Sequence, residues 1–182
     1  DSDADGLSNR YETAVSTTNS NDADTDDDGL GDGVELTGQN VSLGANGIPQ
    51  PQVTNPLARD TDGDGIQDGT EYGRTSGVSG TNTALFVPDA DPATSTDPTD
   101  TDTDNGGVSD GIEDANKNGR VDAPCETNPN QATDDSVVCG NGIVQSCGAD
   151  RIAGTADDEE CDDGNVVNGD GCTATCKLQV CG

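Results

Sequence analysis

Histidine, methionine and tryptophan are absent from this chain, and two tyrosines and one phenylalanine are its only aromatic residues. Without histidine the chain lacks the usual general base of neutral pH and the imidazole ligand that most zinc sites use. Basic residues are scarce too. Seven stand against thirty-seven acidic ones, and the resulting charge of −30 excludes nucleic acid, whose phosphates would be repelled. Leu, Ile, Val and Phe together supply 27 of 182 residues, too little apolar surface to offset the ordering entropy of a chain this long. No apolar stretch in these residues is long enough to span a bilayer.

What the chain has instead is aspartate at regular spacing. Residues 60–71 read DTDGDGIQDGTE, with Asp60, Asp62 and Asp64 at positions 1, 3 and 5, Gly65 at 6, Ile66 at 7, Asp68 at 9 and Glu71 at 12. Hard carboxylate oxygens at alternate positions can wrap a large cation. The glycine permits the sharp turn, the carbonyl of position 7 adds a ligand, and the distal glutamate can close the shell with two oxygens; this is a ligand pattern for calcium. Residues 1–12 repeat it with Asp1, Asp3, Asp5, Leu7, Asn9 and Glu12, and residues 24–35 with Asp24, Asp26, Asp28, Leu30, Asp32 and Glu35. The fourth copy, 102–113, keeps Asp102, Asp104, Val108, Asp110 and Glu113 but has Gly106 at position 5, so water or the nearby Asp100 is expected to substitute. The fifth, 114–126, places Asp114, Asn116, Asn118, Arg120 and Asp122 in the corresponding slots, and its closing Glu126 falls one residue late. It is expected to be the weakest or most distorted site, and loop 60–71 the most complete.

An acidic disordered tail is the competing reading of such a composition. Random acidic text, however, does not keep Gly at position 6, Leu, Ile or Val at position 7 and Glu at position 12. An EF-hand would need an amphipathic helix on each side of the loop, and the Gly/Thr/Ser/Pro-rich text that follows each copy offers none. Asn55-Pro56, Asp97-Pro98 and Asn128-Pro129 read as fixed turns leading from one loop towards the next. About five bound calcium ions would bring the charge from −30 to about −20, and metal binding and folding become one event.

These residues resemble the bacterial form of the thrombospondin type 3 repeat. The resemblance covers roughly residues 1–130 and rests on DADGLSNRYE, DTDDDGLGDGVE, DTDGDGIQDGTE, DTDNGGVSDGIE and the TNP and TDP connectors. It implies a chain wound around a string of calcium ions with almost no regular secondary structure. Two long inserts, 38–53 and 73–98, depart from the family's short period. They carry the local apolar runs, such as Ala84-Leu85-Phe86-Val87, and are expected to form short strands or hairpins. The fifth loop departs with its apolar residue, Val121, at position 8, closer to a dockerin or EF-hand loop.

Beyond about residue 133 the composition changes to a cysteine-dense segment holding Cys139, Cys147, Cys161, Cys172, Cys176 and Cys181. That density in a core-poor chain reads as a disulfide module formed in an oxidising compartment. Zinc is the alternative for Cys172-x-x-x-Cys176, although no histidine or matching second pair accompanies it. VCGNGIVQ and EECDDGNVVNGDGCTATC resemble a Cys-rich repeat common in secreted proteins of myxobacteria, over about 139–176. There Asp162, Asp163, Asn165, Asn168 and Asp170 are spaced as oxygen ligands for a further calcium, or as an Asn/Gly/Asp turn cluster that needs no ion.

The fold class expected is therefore mostly irregular coil. Residues 1–132 form a calcium-stabilised repeat array with little regular secondary structure, and 133–182 a small disulfide-rich module. Asp1 already opens a loop and Val180-Cys181-Gly182 repeats Val138-Cys139-Gly140, so the natural protein is expected to continue in both directions. No nucleophile stands beside a base outside the loop carboxylates, so the chain is expected not to be an enzyme. The expected role is a metal-stiffened rod or fibre-forming segment of a secreted or surface bacterial protein. The alternatives are an adhesive module for a glycan or protein partner and the accessory stalk of a larger secreted enzyme.

Overall fold

The structure, a computed structural model, describes residues 1–38, 53–122, 125–135, 160–161, 172–173, 175 and 177–178. Residues 39–52 of the first insert and the oxygen-rich cluster Asp162, Asp163, Asn165, Asn168 and Asp170 lie outside the described residues.

Each loop begins with turns because its own carboxylates accept from its main chain. Asp60 Oδ1 and Oδ2 accept from the N–H groups of Gly63 and Gly65 at 2.7 and 2.9 Å, and Asp102 does the same for Gly106 and Gly107 at 3.1 and 3.0 Å. Curling the chain around an aspartate in this way puts positions 4 and 6 in the left-handed region. Gly6, Gly29, Gly65 and Gly107 have φ between 97° and 105°, which is why position 6 is glycine.

The first four loops then end in a short helical turn. These are α1 (Asn9–Tyr11), followed by a π-helical turn at Glu12–Ser16, then α2 (Asp32–Thr37), α3 (Asp68–Glu71) and α4 (Asp110–Glu113). The helices span three to six residues. Among the described residues no long flanking helix occurs, and the turns appear because positions 9–12 follow extended residues whose carbonyls start a helical turn. Gly31 O, for instance, accepts from Val34 N and Glu35 N.

Among the described residues no strand occurs, and Cys172 and Leu178 form an isolated antiparallel bridge. The expectation of strands in the second insert is corrected here. Residues 83–85 form a turn instead, in which Asn82 O accepts from Leu85 N at 2.9 Å and Phe86 N at 3.1 Å, and Phe86 and Val87 follow it as coil. The insert is used as a clasp. Phe86 is buried against Gly29, Gln67 bonds Leu85 O and Val87 N at 2.9 and 2.8 Å, and Asn82 N donates to Asp27 Oδ1 at 2.7 Å. Leu30 and Tyr72, with Val34 against them, make the one small cluster of buried apolar residues described.

Cys161 and Cys172 are joined by a disulfide with Cα atoms 5.9 Å apart, and Cys125 is also disulfide-bonded. The zinc reading of Cys172 is thereby removed, since its sulfur is already committed.

Candidate metal centre

Asp24, Asp26 and Asp28 bring carboxylate oxygens within 4.8 Å of one another, as do Asp1, Asp3 and Asp5, and Asp60, Asp62 and Asp64. These are positions 1, 3 and 5 of the first three loops, the grouping expected from spacing. A second kind of group was not expected. Asp5 and Glu12 of the first loop meet Asp32 of the second, and Asp28 and Glu35 of the second meet Asp68 of the third. Position 9 therefore faces the preceding loop's positions 5 and 12. In its own loop it is held by the hydroxyl residue at position 2. Thr25, Thr61 and Thr103 each donate N–H and Oγ1 to Asp32, Asp68 and Asp110 at 2.6–2.9 Å, and Ser2 Oγ accepts from Asn9 Nδ2 at 2.6 Å.

The contact between consecutive loops needs glycine at position 10. A Cβ on Gly33 would lie 2.2 Å from Asp5 O, one on Gly69 2.1 Å from Asp28 O, and one on Gly111 2.3 Å from Asp64 O. The connectors add a hydroxyl. Thr54 and Thr96, each just before an Asx-Pro step, donate to Glu35 and Glu71 at 3.2 and 2.9 Å.

These carboxylates are buried with too few donors. Among the described residues sixteen buried carboxylate oxygens have no hydrogen-bond partner, and twelve of them belong to positions 3, 5 and 12 of the first four loops. Native chains leave only a few buried polar groups unpaired per hundred residues, and an uncompensated buried charge costs several kcal/mol. Burial, and secondarily the neighbouring Asp26, pushes Asp28 up to about 9; burial and then Asp28 push Glu35 up to about 10. Asp68 and Asp110 rise to about 7 and Asp26 and Asp62 to about 6, all chiefly through burial. A divalent cation supplies the charge and the electron-pair acceptor that such oxygens lack, and an all-oxygen set suits a hard one.

At position 7, Leu30 and Ile66 are fully buried beneath their loops, while Leu7 and Val108 are partly so. Arg120, in the same slot of the fifth loop, is exposed and ion-paired to Asp122. The fifth loop satisfies itself: Asp122 accepts from Asn116 and Asn118 side-chain amides at 3.0 and 2.9 Å, and Glu126 accepts from Asn116 N at 3.2 Å and from Asp122 N at 2.6 Å. Those amide and guanidinium donors hold the Asp122 carboxyl below its ordinary value. Asp114 keeps one buried oxygen without a donor.

Two features escaped sequence reasoning. Asp100 is exposed, and one of its oxygens accepts from Asp102 N at 3.4 Å, so it does not fill the gap at Gly106. Asp89, from the second insert, is 4 % exposed with an unpaired Oδ2, and its Oδ1 would lie 2.4 Å from a Cβ on Gly119 of the fifth loop. An isolated Asp-Ala-Asp in an insert gave no signal that it would fold against a loop twenty-five residues later. Compared with known proteins, the chain matches no protein-family model, no curated protein and no solved structure.

Proposed function

We propose that this chain is a calcium-binding structural segment of a secreted or cell-surface protein, a spacer whose loops are held in place by the ions between them. The observation that carries the reading is the set of buried carboxylate oxygens at positions 3, 5 and 12 that no protein donor satisfies. Calcium fits better than magnesium. The loops can offer six or more oxygen ligands with a main-chain carbonyl, whereas magnesium demands a tight octahedron and keeps its waters. A role as part of a fibre follows the same reading, with shared calcium ligands or disulfides as the contacts of an acidic, apolar-poor surface.

Equilibrium dialysis tests the ion. Several calcium ions per chain are expected at free concentrations of about 10⁻⁴ to 10⁻³ M, the range of extracellular modules, with magnesium displacing few of them at equal concentration. Fewer than two calcium ions bound at 5 millimolar, on the order of the upper end of that range, would remove the proposal.

The pH dependence follows from the same burial. In the metal-free fold burial raises Asp28, Glu35 and Glu113 to about 9, 10 and 9, far above ordinary carboxylate values near 4. That fold binds more protons than the unfolded chain and its stability falls as pH rises from about 4 towards 9, so without calcium the chain is unfolded near neutral pH. Calcium then meets carboxylates that are already ionised. Its apparent affinity should be flat between pH 6 and pH 8 and fall below about pH 5 as those carboxylates take up protons. Titration in two buffers of different ionisation enthalpy reads the protons exchanged. Unequal heats at pH 7 would show that the metal-free chain keeps a protonated fold.

A further inference from the structure

We propose that Asp135, twenty-nine residues downstream of Gly106, supplies the position-5 calcium ligand that the fourth loop lacks, completing the two groups that position 5 joins elsewhere, here one with Asp102 and Asp104 and one with Glu113. The assignment rests on the calcium reading above and extends it to a residue outside every loop.

The Asp135 carboxylate stands where a position-5 side chain would stand. A Cβ on Gly106 would lie 1.9 Å from Asp135 Oδ2 and 2.5 Å from its Cγ. It also takes over the hydrogen bond that position 5 makes elsewhere. Leu7 N, Leu30 N and Ile66 N donate to Asp5, Asp28 and Asp64 at 2.7, 2.7 and 2.8 Å, and Val108 N donates to Asp135 Oδ2 at 3.3 Å. The oxygens that remain point to an ion. Glu113 is 0 % exposed and its Oε2 has no donor, while Asp135 Oδ1 and Asp104 Oδ2 are likewise buried and unpaired.

The chain reaches this place by reusing its connector. Thr127 donates to Glu113 Oε1 at 2.9 Å, as Thr54 does to Glu35 and Thr96 to Glu71. Asn128 N then donates to Asp134 Oδ2, six residues on, where Asn19, Asn55 and Asp97 donate to Thr25, Thr61 and Thr103. Residues 127–135 are thus seated on the fourth loop as a connector, with the fifth loop interposed between Glu113 and Thr127. A loop without its own position-5 carboxylate can keep that ligand only if another segment delivers one, and this connector ends on two aspartates.

The test compares two variants of the full chain that remove the same charge. Asp135→Asn keeps an acceptor for Val108 N but removes the anionic ligand, and Asp100→Asn removes the exposed acid that flanks the same loop. Calcium counted by dialysis should fall by one or two ions in Asp135→Asn at a concentration that saturates the rest, with the lost sites weakened about 10- to 100-fold, as for loss of partners around a metal. Asp100→Asn should match the parent. Equal behaviour of the two variants, a loss in Asp100→Asn alone, or a loss in Asp135→Asn spread over all ions would each overturn the assignment. A parent chain that binds no calcium would instead overturn the reading on which it rests.

Discussion

Chelating calcium is expected to expand the whole chain, from a radius of gyration near the ~16 Å of a compact protein of 182 residues towards the ~45 Å of an unfolded one. Among the described residues six hydrophobic side chains are buried, against twelve carboxylates. Fully burying Leu30 or Ile66 contributes roughly 1.5–3 kcal/mol each. Each buried carboxylate without compensation costs several kcal/mol, so a few of them cancel the apolar term entirely. Backbone ordering at about 1–2 kcal/mol per residue then has nothing to oppose it except the ions. Small-angle scattering with and without chelator measures the change. Sodium chloride at 1 M shortens the screening length to about 3 Å but should not restore the compact form, because screening supplies no ligand bonds between loops. An unchanged radius in chelator would show that protein contacts alone hold the fold.

The local part of the candidate centre was legible from spacing. Asp24, Asp26 and Asp28 converge because one turn around an aspartate brings alternate side chains to the same side, and the left-handed glycine at position 6 is needed wherever that turn is made. The connectors were legible for a similar reason, since an Asx-Pro step restricts only its own few residues. What spacing did not reveal is non-local. Nothing within residues 24–35 says that Asp32 will face Asp5 and Glu12, or that Thr25 will hold it there. The recurrence of glycine at position 10, in Gly33, Gly69 and Gly111, was a signal that carried no meaning until another backbone was seen 2.1–2.3 Å from the missing Cβ. The insert misled for the opposite reason. Ala84-Leu85-Phe86-Val87 has strand-forming residues, yet with no partner edge Phe86 gains more by covering Gly29, and Asn82 turns the chain to put it there.

Gly69→Ala is expected to break the association of the second and third loops, although every local rule favours it. Gly69 lies in α3, where alanine is the better helix former by about 1 kcal/mol. Its φ is not in the left-handed region, so the side chain meets no backbone strain. The obstacle is the neighbouring loop: the new Cβ would lie 2.1 Å from Asp28 O, 3.0 Å from Asp28 C and 3.4 Å from Gly29 Cα. All three are main-chain atoms and cannot swing aside as a flexible side chain would. Making room moves Asp28 away from Asp68, and Asp28 also belongs to the group with Asp24 and Asp26. Overpacking of this kind costs about 1–3 kcal/mol by itself, and separating carboxylates that share an ion adds the loss of that ion. The calcium concentration at the midpoint of folding should therefore rise at least tenfold, about 1.4 kcal/mol for each site coupled to the transition. Gly63→Ala is the comparison. Its Cβ meets nothing within 4 Å, and the left-handed φ of 86° limits its cost to about 1–2 kcal/mol without touching a second loop. A Gly69→Ala chain that folds at the parent's calcium concentration, or below it as helix propensity alone would have it, would show that consecutive loops do not share ions and that each closes on its own.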